Sequence, residues 1–515
     1  MGHIVKRVMS LKRVCVLVIN GAVSAATSFL MSGIGVWFSL YLTNKIGTAM
    51  MGQYQLMMSV YSFGVTFASS GANFATMRLV SENLGRNPKT NVKGLLKKCF
   101  LYCFFFGFGG GGLLFLLAPF IGEQILQNTG AVLPLKIVSV SLPCVAASGV
   151  IGGYFAAVRK VYKTAAVQVG EQLVKIVLTV SLLSVLLPRG EEHACLALII
   201  ASVLGESASV LFSYCLYRAD RRRYKGRAKG EGSLLRIALP IALSSYLRSG
   251  LVTVKHLLVP SQLQKYGMNH RQAVSAFGII HGIVLPVIMF PTSLLFSFSN
   301  LMVPEVAEAR AKGGGYSRRM TYLIDRGIQL TLLFSFGTAG FLYFFANELT
   351  GLISDRQGIG VYLKMLALIV PVMYLDHTVD NMLKGLDQQV RSMEYNIIDA
   401  ACSLGLIFIL LPRFGTAGYV FLICFSEILN FTLSFRRLTK VSVFHLFPVR
   451  GVFLPLLCIC VAAYGGKFTP LFFGLQGLPL TLCGGLLTLV YYLVLLRLTG
   501  CFTKNDAQWL KGIFR

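Results

Sequence analysis

Apolar runs of about 20 residues recur along the whole chain, and they constrain its fold more than any other feature. A run of that length crosses the hydrocarbon core of a bilayer as one α-helix, and only short polar stretches separate the runs here. The 515 residues are 55% hydrophobic and 13% charged, with a mean hydropathy of +0.69. These values exclude an ordinary soluble globular protein. We therefore predict an all-α, polytopic membrane protein without a soluble domain.

The runs predict about fourteen transmembrane helices. They cover residues 14–43, 52–80, 99–121, 133–157, 164–188, 194–217, 234–259, 272–303, 320–346, 360–383, 393–411, 417–435, 450–468 and 475–497. The first run is too long for the apolar core of a signal peptide and leads directly into a second span. We therefore expect no cleaved targeting sequence.

The formal net charge of +28 reflects membrane topology rather than nucleic-acid binding. Basic residues concentrate in alternate loops, such as "YRADRRRYKGRAKG" after the sixth span, with roughly thirty on one side and roughly nine on the other. The positive-inside rule then predicts a protein of the cytoplasmic membrane with both termini in the cytoplasm. We expect no nucleic-acid partner, and we expect anionic lipid at the basic inner face.

The twelve cysteines lie almost entirely within the predicted spans and lack metal-ligand spacing. A buried thiol behaves as a small apolar group, so we interpret them as packing residues. We predict no metal site, and no cofactor other than Na⁺ or H⁺ as a coupling ion.

The two halves of the chain show signs of an internal duplication. Counted from Pro143 in one half and Pro371 in the other, an acidic residue follows at the same offset, Glu171 and Asp399. Lys175 lies one turn after Glu171, where the two could form an ion pair. We predict two parallel six-helix bundles. The predicted regions are an N-terminal bundle at 1–218, a basic cytoplasmic linker at 219–232, a C-terminal bundle at 233–440, and helices 13 and 14 with a cytoplasmic tail at 441–515.

Polar residues inside the predicted spans mark a candidate substrate site. Arg248 is near the middle of span seven, where a guanidinium costs at least a few kcal/mol unless it faces water, a partner or an anion. It predicts a water-filled cavity in which the guanidinium binds phosphate through paired hydrogen bonds. Lys255 and His256, two turns further along, could instead extend to the lipid headgroups. The candidate substrate-binding residues are Arg248, Arg78, Lys255, His256, His281, Asn20, Ser24, Asn73, Ser297 and Asn300. The hydroxyls along these spans could equally serve helix packing.

Acidic residues in the second half form a separate candidate site for a coupling ion. Asp376 and Asp380 share a face of span ten, and Asp399 lies on span eleven with Asn396 one turn before it. Their oxygens could hold a sodium ion or carry a proton that drives transport. The alternative is structural pairing with a basic residue: Lys364, Lys384 or Arg326.

Two further acids, Glu206 and Glu427, occupy matching places in the two halves. We interpret them as stabilising the basic ends of their own helices, Arg218 and Arg436. No enzymatic motif is found: the chain lacks a nucleophile elbow, an HExxH sequence and a phosphate loop with its lysine. We therefore predict that the protein is not an enzyme and has no catalytic residues.

Three stretches carry a family resemblance. They are "GQYQLMMSVYSFGVTFASSGANFATMRLVSENLG" at 52–85, "LPIALSSYLRSGLVTVKHLLVPSQLQKYG" at 239–267 and "FPTSLLFSFSNLMVPEVAEARAKG" at 290–313. They resemble the stage V sporulation protein B branch of polysaccharide flippases. That branch belongs to the multidrug/oligosaccharidyl-lipid/polysaccharide exporter superfamily and is related to the lipid II flippase.

The resemblance implies two bundles around a central cavity, with spans 1, 2, 7 and 8 lining a lateral gate for a polyprenyl-linked sugar. It also implies alternating access between the two faces of the membrane. Relatives carry arginines in span one, whereas this chain has no charge between Arg13 and Lys45. The pyrophosphate-binding role would therefore fall to Arg248, with help from Arg78.

Together these features predict a flippase that moves an undecaprenyl-pyrophosphate-linked saccharide to the outer leaflet and functions as a monomer. The first alternative is a cation-coupled multidrug exporter, although a basic cavity would repel its lipophilic cations. A membrane glycan transferase or polymerase is more distant. Such an enzyme usually needs a sizeable outer loop, and the predicted outer loops are ordinary connections of at most about fifteen residues.

Overall fold

The protein is described by a computed structural model, which defines residues 26–86, 91–220, 234–312, 318–353, 358–445, 448–472, 478–503 and 506. Within these ranges the regular elements are helices. In chain order the α-helices are α1 Ala26–Ile46, α2 Thr48–Ser69, α3 Ala72–Arg86, α4 Val92–Pro119, α5 Val132–Ala157, α6 Val161–Leu186, α7 Glu191–Asp220, α8 Leu234–Lys265, α9 His270–Ile279, α10 Leu285–Met289, α11 Thr292–Lys312, α12 Arg318–Phe344, α13 Ala346–Ile353, α14 Ile359–Ala367, α15 Val370–Gly385, α16 Gln389–Val441, α17 Leu454–Phe472 and α18 Leu478–Leu498.

The predicted spans fall on these helices, which confirms the all-α prediction. Nine helices in the described ranges are long and apolar enough to cross a membrane, or ten if α14 and α15 count as one bent span. The count of fourteen spans therefore stays a prediction. The first predicted span lies partly outside the described residues, as do its candidate site residues Asn20 and Ser24.

Several predicted spans are broken rather than continuous. Ser70 separates α2 from α3 in the left-handed region, with φ 44° and ψ 39°. The axes of α14 and α15 differ by 51°. Gly415, in contrast, lies between the predicted spans 393–411 and 417–435, where it interrupts α16 with φ 57° and ψ −133°, a conformation that glycine adopts easily because it has no Cβ. Gly415 therefore divides α16 into a first arm and a second arm.

The described residues form two compact units. The first unit consists of the described residues between Lys45 and Gly278, and the second unit consists of the described residues up to Asn44 and from Ile279 onward. In the first unit, α5 packs against α2, α3, α4 and α7. Its residues Leu142, Tyr154 and Phe155 are almost completely buried. The core of this unit therefore surrounds α5.

In the second unit, α15 packs against α11, α12 and α16, and α17 packs against α18 and α12. Tyr374 and Val379 of α15 are fully buried, and the Tyr374 hydroxyl donates to the carbonyl of Ile288 at 2.6 Å. This arrangement places the acidic face of α15 against α16. The two units are defined by spatial contacts, so the boundaries predicted from the duplication, at 218–219 and 232–233, stay predictions.

Candidate functional site

Arg248, which we predict to bind phosphate, lies in the middle of α8 in the first unit. Its side chain is exposed. In the described part of the chain it forms no ion pair and no hydrogen bond. A guanidinium with available N–H groups can bind phosphate through two parallel hydrogen bonds. No acid among the described residues neutralises the Arg248 guanidinium, which leaves its N–H groups available to an anion.

Hydroxyl groups along α8 donate to backbone carbonyls, either within α8 or across to α2. Ser244 and Ser245 both donate to the carbonyl of Ile241, at 3.0 and 2.9 Å. Thr253 of α8 donates to the carbonyl of Ser59 in α2 at 3.2 Å. Such bonds are typical of packed membrane helices. For these residues, the packing interpretation therefore accounts for the hydroxyl.

His256 faces α2 inside the first unit. Its Nδ1 lies 3.0 Å from the Ser59 hydroxyl oxygen, and its ring meets Phe277 edge-on with the centroids 5.7 Å apart. The expectation that His256 extends to the lipid headgroups is therefore wrong, because packing and a hydrogen bond fix its ring. Lys255, the preceding residue, is partly buried.

Two other predicted substrate residues lie on α3. Asn73 and Arg78 are both exposed. Arg78 forms an ion pair with Glu82 one turn later, with Nε 2.7 Å from Oε1. Exposed pairs of this kind are weak, typically about 0–1 kcal/mol, so an anionic ligand could displace Glu82 at little cost.

The remaining predicted substrate residues belong to the second unit. His281 lies on the π-helical turn Ile280–Val284, and its Nε2 is 2.6 Å from the hydroxyl of Tyr419. Ser297 donates to the carbonyl of Ser293 at 3.0 Å, and Asn300 is exposed. The predicted substrate set is thus divided, with Asn73, Arg78, Arg248, Lys255 and His256 in the first unit and His281, Ser297 and Asn300 in the second.

The acids predicted to bind a coupling ion line the interface between α15 and the two arms of α16. Asp376 Oδ2 accepts a hydrogen bond from Asn430 at 2.9 Å. Asp380 Oδ1 accepts one from Ser392 at 2.8 Å and a longer one from Ser434 at 3.4 Å. We call this group, together with Asp399 and Ser426, the acid seam.

Asp399 completes the acid seam on the first arm of α16. Ser426, on the second arm, lies 2.7 Å from Oδ1 and 2.9 Å from Oδ2 of Asp399. Ser403 donates to the same carboxylate at 3.4 Å. Asn396, the predicted partner of Asp399, donates instead to the backbone carbonyl of Ser392 at 2.8 Å.

Two oxygens of the acid seam are buried without a hydrogen-bond donor among the described residues. Asp376 is 5% exposed and Asn430 is 9% exposed, and the Oδ1 atom of each has no partner. A buried acceptor left without a donor costs about 1–3 kcal/mol, and more when it is charged. Asp376 and Asn430 therefore each have an acceptor oxygen that no donor among the described residues uses.

No basic side chain among the described residues forms an ion pair with Asp376 or Asp380. Lys384 donates to Asn381 at 3.0 Å, and Arg326 pairs with Asp506 at 2.5 Å. Within the described ranges neither Asp376 nor Asp380 forms an ion pair, so the structural alternative of pairing with Lys364, Lys384 or Arg326 is wrong for these two acids. In the same ranges no three His, Cys, Asp or Glu side chains are grouped in a way that could hold a metal ion.

The first unit contains a different, partly buried network around Glu206 of α7. Tyr61 of α2 donates to Glu206 Oε2, and the Tyr61 hydroxyl lies 3.0 Å from Oγ of Ser141 in α5. The interpretation that Glu206 stabilises Arg218 is therefore wrong. Packing brings a tyrosine from another helix close to the carboxylate, whereas Arg218 is three turns away on the same helix.

Lys175 of α6 belongs to the same network. It lies close enough to Glu171, Glu206 and Tyr54 to interact electrostatically. Lys175 and Glu171 do not form a direct ion pair, so the predicted pair within α6 is wrong. The amine is directed toward neighbouring helices instead, where it interacts with a second acid.

Sequence reasoning missed several residues that contact these acids. Ser426, Asn430 and Ser434 follow one another at intervals of four, so they share one face of the second arm of α16. That spacing was a usable signal for the acid seam. Tyr61 carried no comparable signal, because its contact with Glu206 joins residues 145 positions apart.

An apolar groove lies within the second unit, between α11, α12 and α18. Its volume is about 620 Å³. Phe29 of α1 stacks near its edge on Phe290, with ring centroids 4.9 Å apart. The other lining residues are Pro291, Leu294, Leu295, Phe298, Leu330, Leu333, Phe334, Gly337, Thr338, Phe341, Leu489, Tyr492, Leu493, Leu496 and Phe502. A groove with this lining can accept a hydrocarbon chain.

Comparison with known proteins supports the family resemblance. Residues 17–262 match the protein family described as "Polysaccharide biosynthesis protein". Stage V sporulation protein B of Bacillus subtilis (strain 168) is 24% identical over 407 residues, which are 77% of this chain and 78% of that protein. The resemblance to the stage V sporulation protein B branch, stated from the sequence, is confirmed.

Solved structures give the fold. The lipid II flippase MurJ, in an inward closed conformation, superposes with a TM-score of 0.67 at 14% identity, covering 91% of this chain and 97% of MurJ. An inward-facing multidrug resistance transporter of the MATE family superposes with a TM-score of 0.63 at 13% identity, covering 82% of this chain and 98% of the transporter. The chain is therefore a multi-pass membrane protein with the fold of this exporter superfamily.

Proposed function

We propose that this protein flips a polyprenyl-pyrophosphate-linked saccharide across the cytoplasmic membrane, from the inner to the outer leaflet, by alternating access. The observation that carries the proposal is Arg248, a mid-helix guanidinium that is exposed and has no partner among the described residues. A bare phosphate in hydrocarbon is prohibitively costly, so the head group needs water and a fixed positive charge on its way across.

The apolar groove of the second unit supports the same substrate. A lipid-linked saccharide has a long isoprenoid tail, and a lining of phenylalanine and leucine side chains can hold part of it without burying a polar group. In this proposal the tail stays in lipid and in the groove while the head group crosses. The protein transports its substrate without chemical change.

Transport by reconstituted protein tests the proposal. Wild-type protein in phospholipid vesicles is expected to move a fluorescent polyprenyl-pyrophosphate saccharide between leaflets, and Arg248→Ala to slow that movement about 100-fold. The estimate assumes two charge-assisted hydrogen bonds worth about 3 kcal/mol together. Arg248→Lys keeps the charge but not the two parallel bonds, so we expect an intermediate rate. The control is Arg413→Ala, which removes an exposed arginine from the second unit.

Two outcomes would overturn the proposal. One is an unchanged rate for Arg248→Ala in protein that elutes as folded material. The other is efflux of a lipophilic cation with no movement of the lipid-linked saccharide, which would favour the multidrug exporter.

The apolar groove has a separate test. Leu294→Trp narrows the groove and is expected to slow transport of long-tailed substrates more than of short-tailed ones.

A further inference from the structure

Helix α18 and the segment after it form one wall of the apolar groove in the second unit. They contribute Leu489, Tyr492, Leu493, Leu496 and Phe502 to its lining. Helices α11 and α12 contribute most of the other lining residues. The width of the groove therefore depends on where α18 lies relative to α11 and α12.

Apolar contact alone does not hold α18 in place inside a membrane. Lipid chains are as apolar as leucine side chains, so membrane helices associate through close packing and interhelical hydrogen bonds. Helix α17 packs closely on α12, because Gly340 leaves room for Ile459: a Cβ at 340 would lie 2.3 Å from Cγ1 of Ile459. Helix α18 packs less extensively on α12 than α17 does. The polar bonds to α12 are therefore important for the position of α18.

Tyr492 makes one of these bonds from within α18. Its hydroxyl donates to the backbone carbonyl of Leu333 in α12 at 2.7 Å, and its side chain is buried. Gly337 leaves room for the ring, since a Cβ there would lie 2.7 Å from Cε1 of Tyr492. The tyrosine therefore lines the groove and also binds its wall to α12.

The segment after α18 is bonded to α12 through a second set of residues. Gln329 of α12 donates through Nε2 to the carbonyl of Cys501 at 3.0 Å. Nη1 of Arg326 lies 2.5 Å from Oδ1 of Asp506. Thr503 donates to Oδ2 of Asp506 from its backbone N–H at 2.8 Å and from its hydroxyl at 2.7 Å. We call Arg326, Gln329, Cys501, Thr503 and Asp506 the clasp.

Burial makes the clasp resistant to opening. Asp506 is 1% exposed, and its partner Arg326 also donates to Gln329 at 2.9 Å, so the ion pair and the amide form one connected network. Separating a buried pair leaves each charge uncompensated, which is strongly unfavourable. The segment after α18 therefore cannot move away from α12 without breaking the pair.

We propose that the clasp sets the width of the apolar groove, and that this width selects an isoprenoid tail over a straight hydrocarbon chain. The inference rests on the proposed function, because it assumes that the groove receives the tail of the lipid-linked saccharide. Arg326 and Asp506 do not line the groove. They are positioning residues, which act on the tail through α18.

The shape of an isoprenoid tail gives the selection its physical basis. Its regularly spaced methyl branches make it thicker than a straight chain. A wall held at a fixed distance can contact these branches along the groove. A gap of about 1 Å already forfeits up to about half of the attraction between two atoms in contact. A wall that moves outward therefore loses the contacts by which the branches are recognised.

The position of the wall is measured without any lipid ligand or transport assay. Spin-labelled amino acids replace Ala307 of α11 and Leu498 of α18, two exposed residues that do not line the groove. Pulsed electron paramagnetic resonance of the full chain in nanodiscs gives the distance between the labels. Asp506→Asn and Arg326→Gln are each expected to lengthen it by about 2 Å, the upper end of ordinary helix shifts.

Two further variants make this measurement decisive. The matched control is Arg319→Gln, the same change on the same helix, which breaks an exposed ion pair with Glu305 and is expected to leave the distance unchanged. Gln329→Met removes the bond to the Cys501 carbonyl but keeps the ion pair, and is expected to lengthen the distance less than Asp506→Asn does. It tests the clasp even if loss of the buried pair prevents folding.

Tail selection is measured by binding. The probes are polyprenyl phosphate and an alkyl phosphate with a straight saturated chain of the same number of carbons. Native mass spectrometry of the full-length protein in detergent measures the amount of each that is bound. We expect wild-type protein to prefer polyprenyl phosphate, and Asp506→Asn to reduce this preference about tenfold, the lower end of the discrimination that one methylene supplies in an apolar pocket. Arg319→Gln is expected to keep it.

The outcomes separate this inference from the proposed function. The same distance between the labels in wild-type protein and in every folded clasp variant would overturn the inference, even if saccharide flipping is observed. A longer distance with an unchanged preference between the two phosphates would also overturn it, because the width of the groove would then not select the tail. Both expected effects in a protein that flips no saccharide would support the inference and contradict the proposed function.

Discussion

The two units treat charge inside the membrane in opposite ways. The first unit exposes an arginine without a partner, Arg248, and places Lys175 among its buried acids. The second unit buries Asp376 and leaves one of its oxygens without a donor. The two units therefore differ in the charge that they carry, and we expect them to respond differently when one charged side chain is removed.

The largest expected effect is a difference in thermal stability between two variants, Lys175→Ala in the first unit and Asp376→Asn in the second. Removing Lys175 leaves two partly buried acids, Glu171 and Glu206, without the base that interacts with them, which is expected to destabilise the protein by about 3 kcal/mol. Removing the Asp376 charge should be neutral or stabilising, because that carboxylate has no base to lose. Thermal unfolding in detergent measures both variants. Equal losses of stability in the two variants would contradict the proposed difference in charge between the two units.

A smaller effect is expected for Tyr61→Phe. This change leaves Glu206 without the hydroxyl that donates to it, and hydrogen bonds to charged groups contribute about 1.5–3 kcal/mol. The matched change in the second unit is Ser426→Ala, which removes a hydroxyl that lies 2.7 Å from Oδ1 of Asp399 and should cost about 1 kcal/mol. If Ser426→Ala were the more damaging of the two, the acid seam would contribute more to stability than the network around Glu206.

The hydrogen bond between Ser59 of α2 and His256 of α8 should contribute less to stability than the bonds to Glu206. Ser59→Ala removes the hydroxyl beside Nδ1 of His256, and a neutral hydrogen bond contributes about 1 kcal/mol. Transport should continue at nearly the wild-type rate, because His256 acts here through packing. A complete loss of transport in folded Ser59→Ala protein would indicate that His256 contributes to substrate binding.

The smallest effect is expected for Arg78→Ala. Its exposed pair with Glu82 contributes less than about 1 kcal/mol. We expect unchanged stability and a transport rate within about twofold of the wild type, as rim charges mainly affect encounter. A loss as large as that of Arg248→Ala, measured in the same vesicles, would show that the two arginines bind the head group together.

Local patterns predicted much of this molecule. Span positions follow from hydropathy, and the acids Asp376, Asp380 and Asp399 could be named because charge is rare in apolar helices. The breaks at Ser70 and between α14 and α15 were missed. A serine with left-handed backbone angles and a bend between two apolar helices do not produce a periodic pattern in the sequence.

The hydrogen-bond partners of the acids were also not predicted from the sequence. The sequence suggested Lys384 or Arg326 for the acids of α15, and the structure gives Asn430 and Ser392 instead. Spacing along one helix determines which residues share a face, but not which neighbouring helix that face meets. The turn at Gly415 lies between the predicted spans 393–411 and 417–435, but periodicity could not show which faces of the two arms of α16 meet in the acid seam.

The most direct test of the account compares two lipids that carry the same fluorescent saccharide, one through a polyprenyl pyrophosphate and one through an uncharged polyprenyl ether. Transbilayer movement of each is measured in vesicles with wild-type protein and with Arg248→Ala. The account predicts that wild-type protein moves the pyrophosphate-linked saccharide much faster than the uncharged one, and that Arg248→Ala removes this preference. Equal wild-type rates for the two lipids, or a preference that survives in Arg248→Ala, would contradict it.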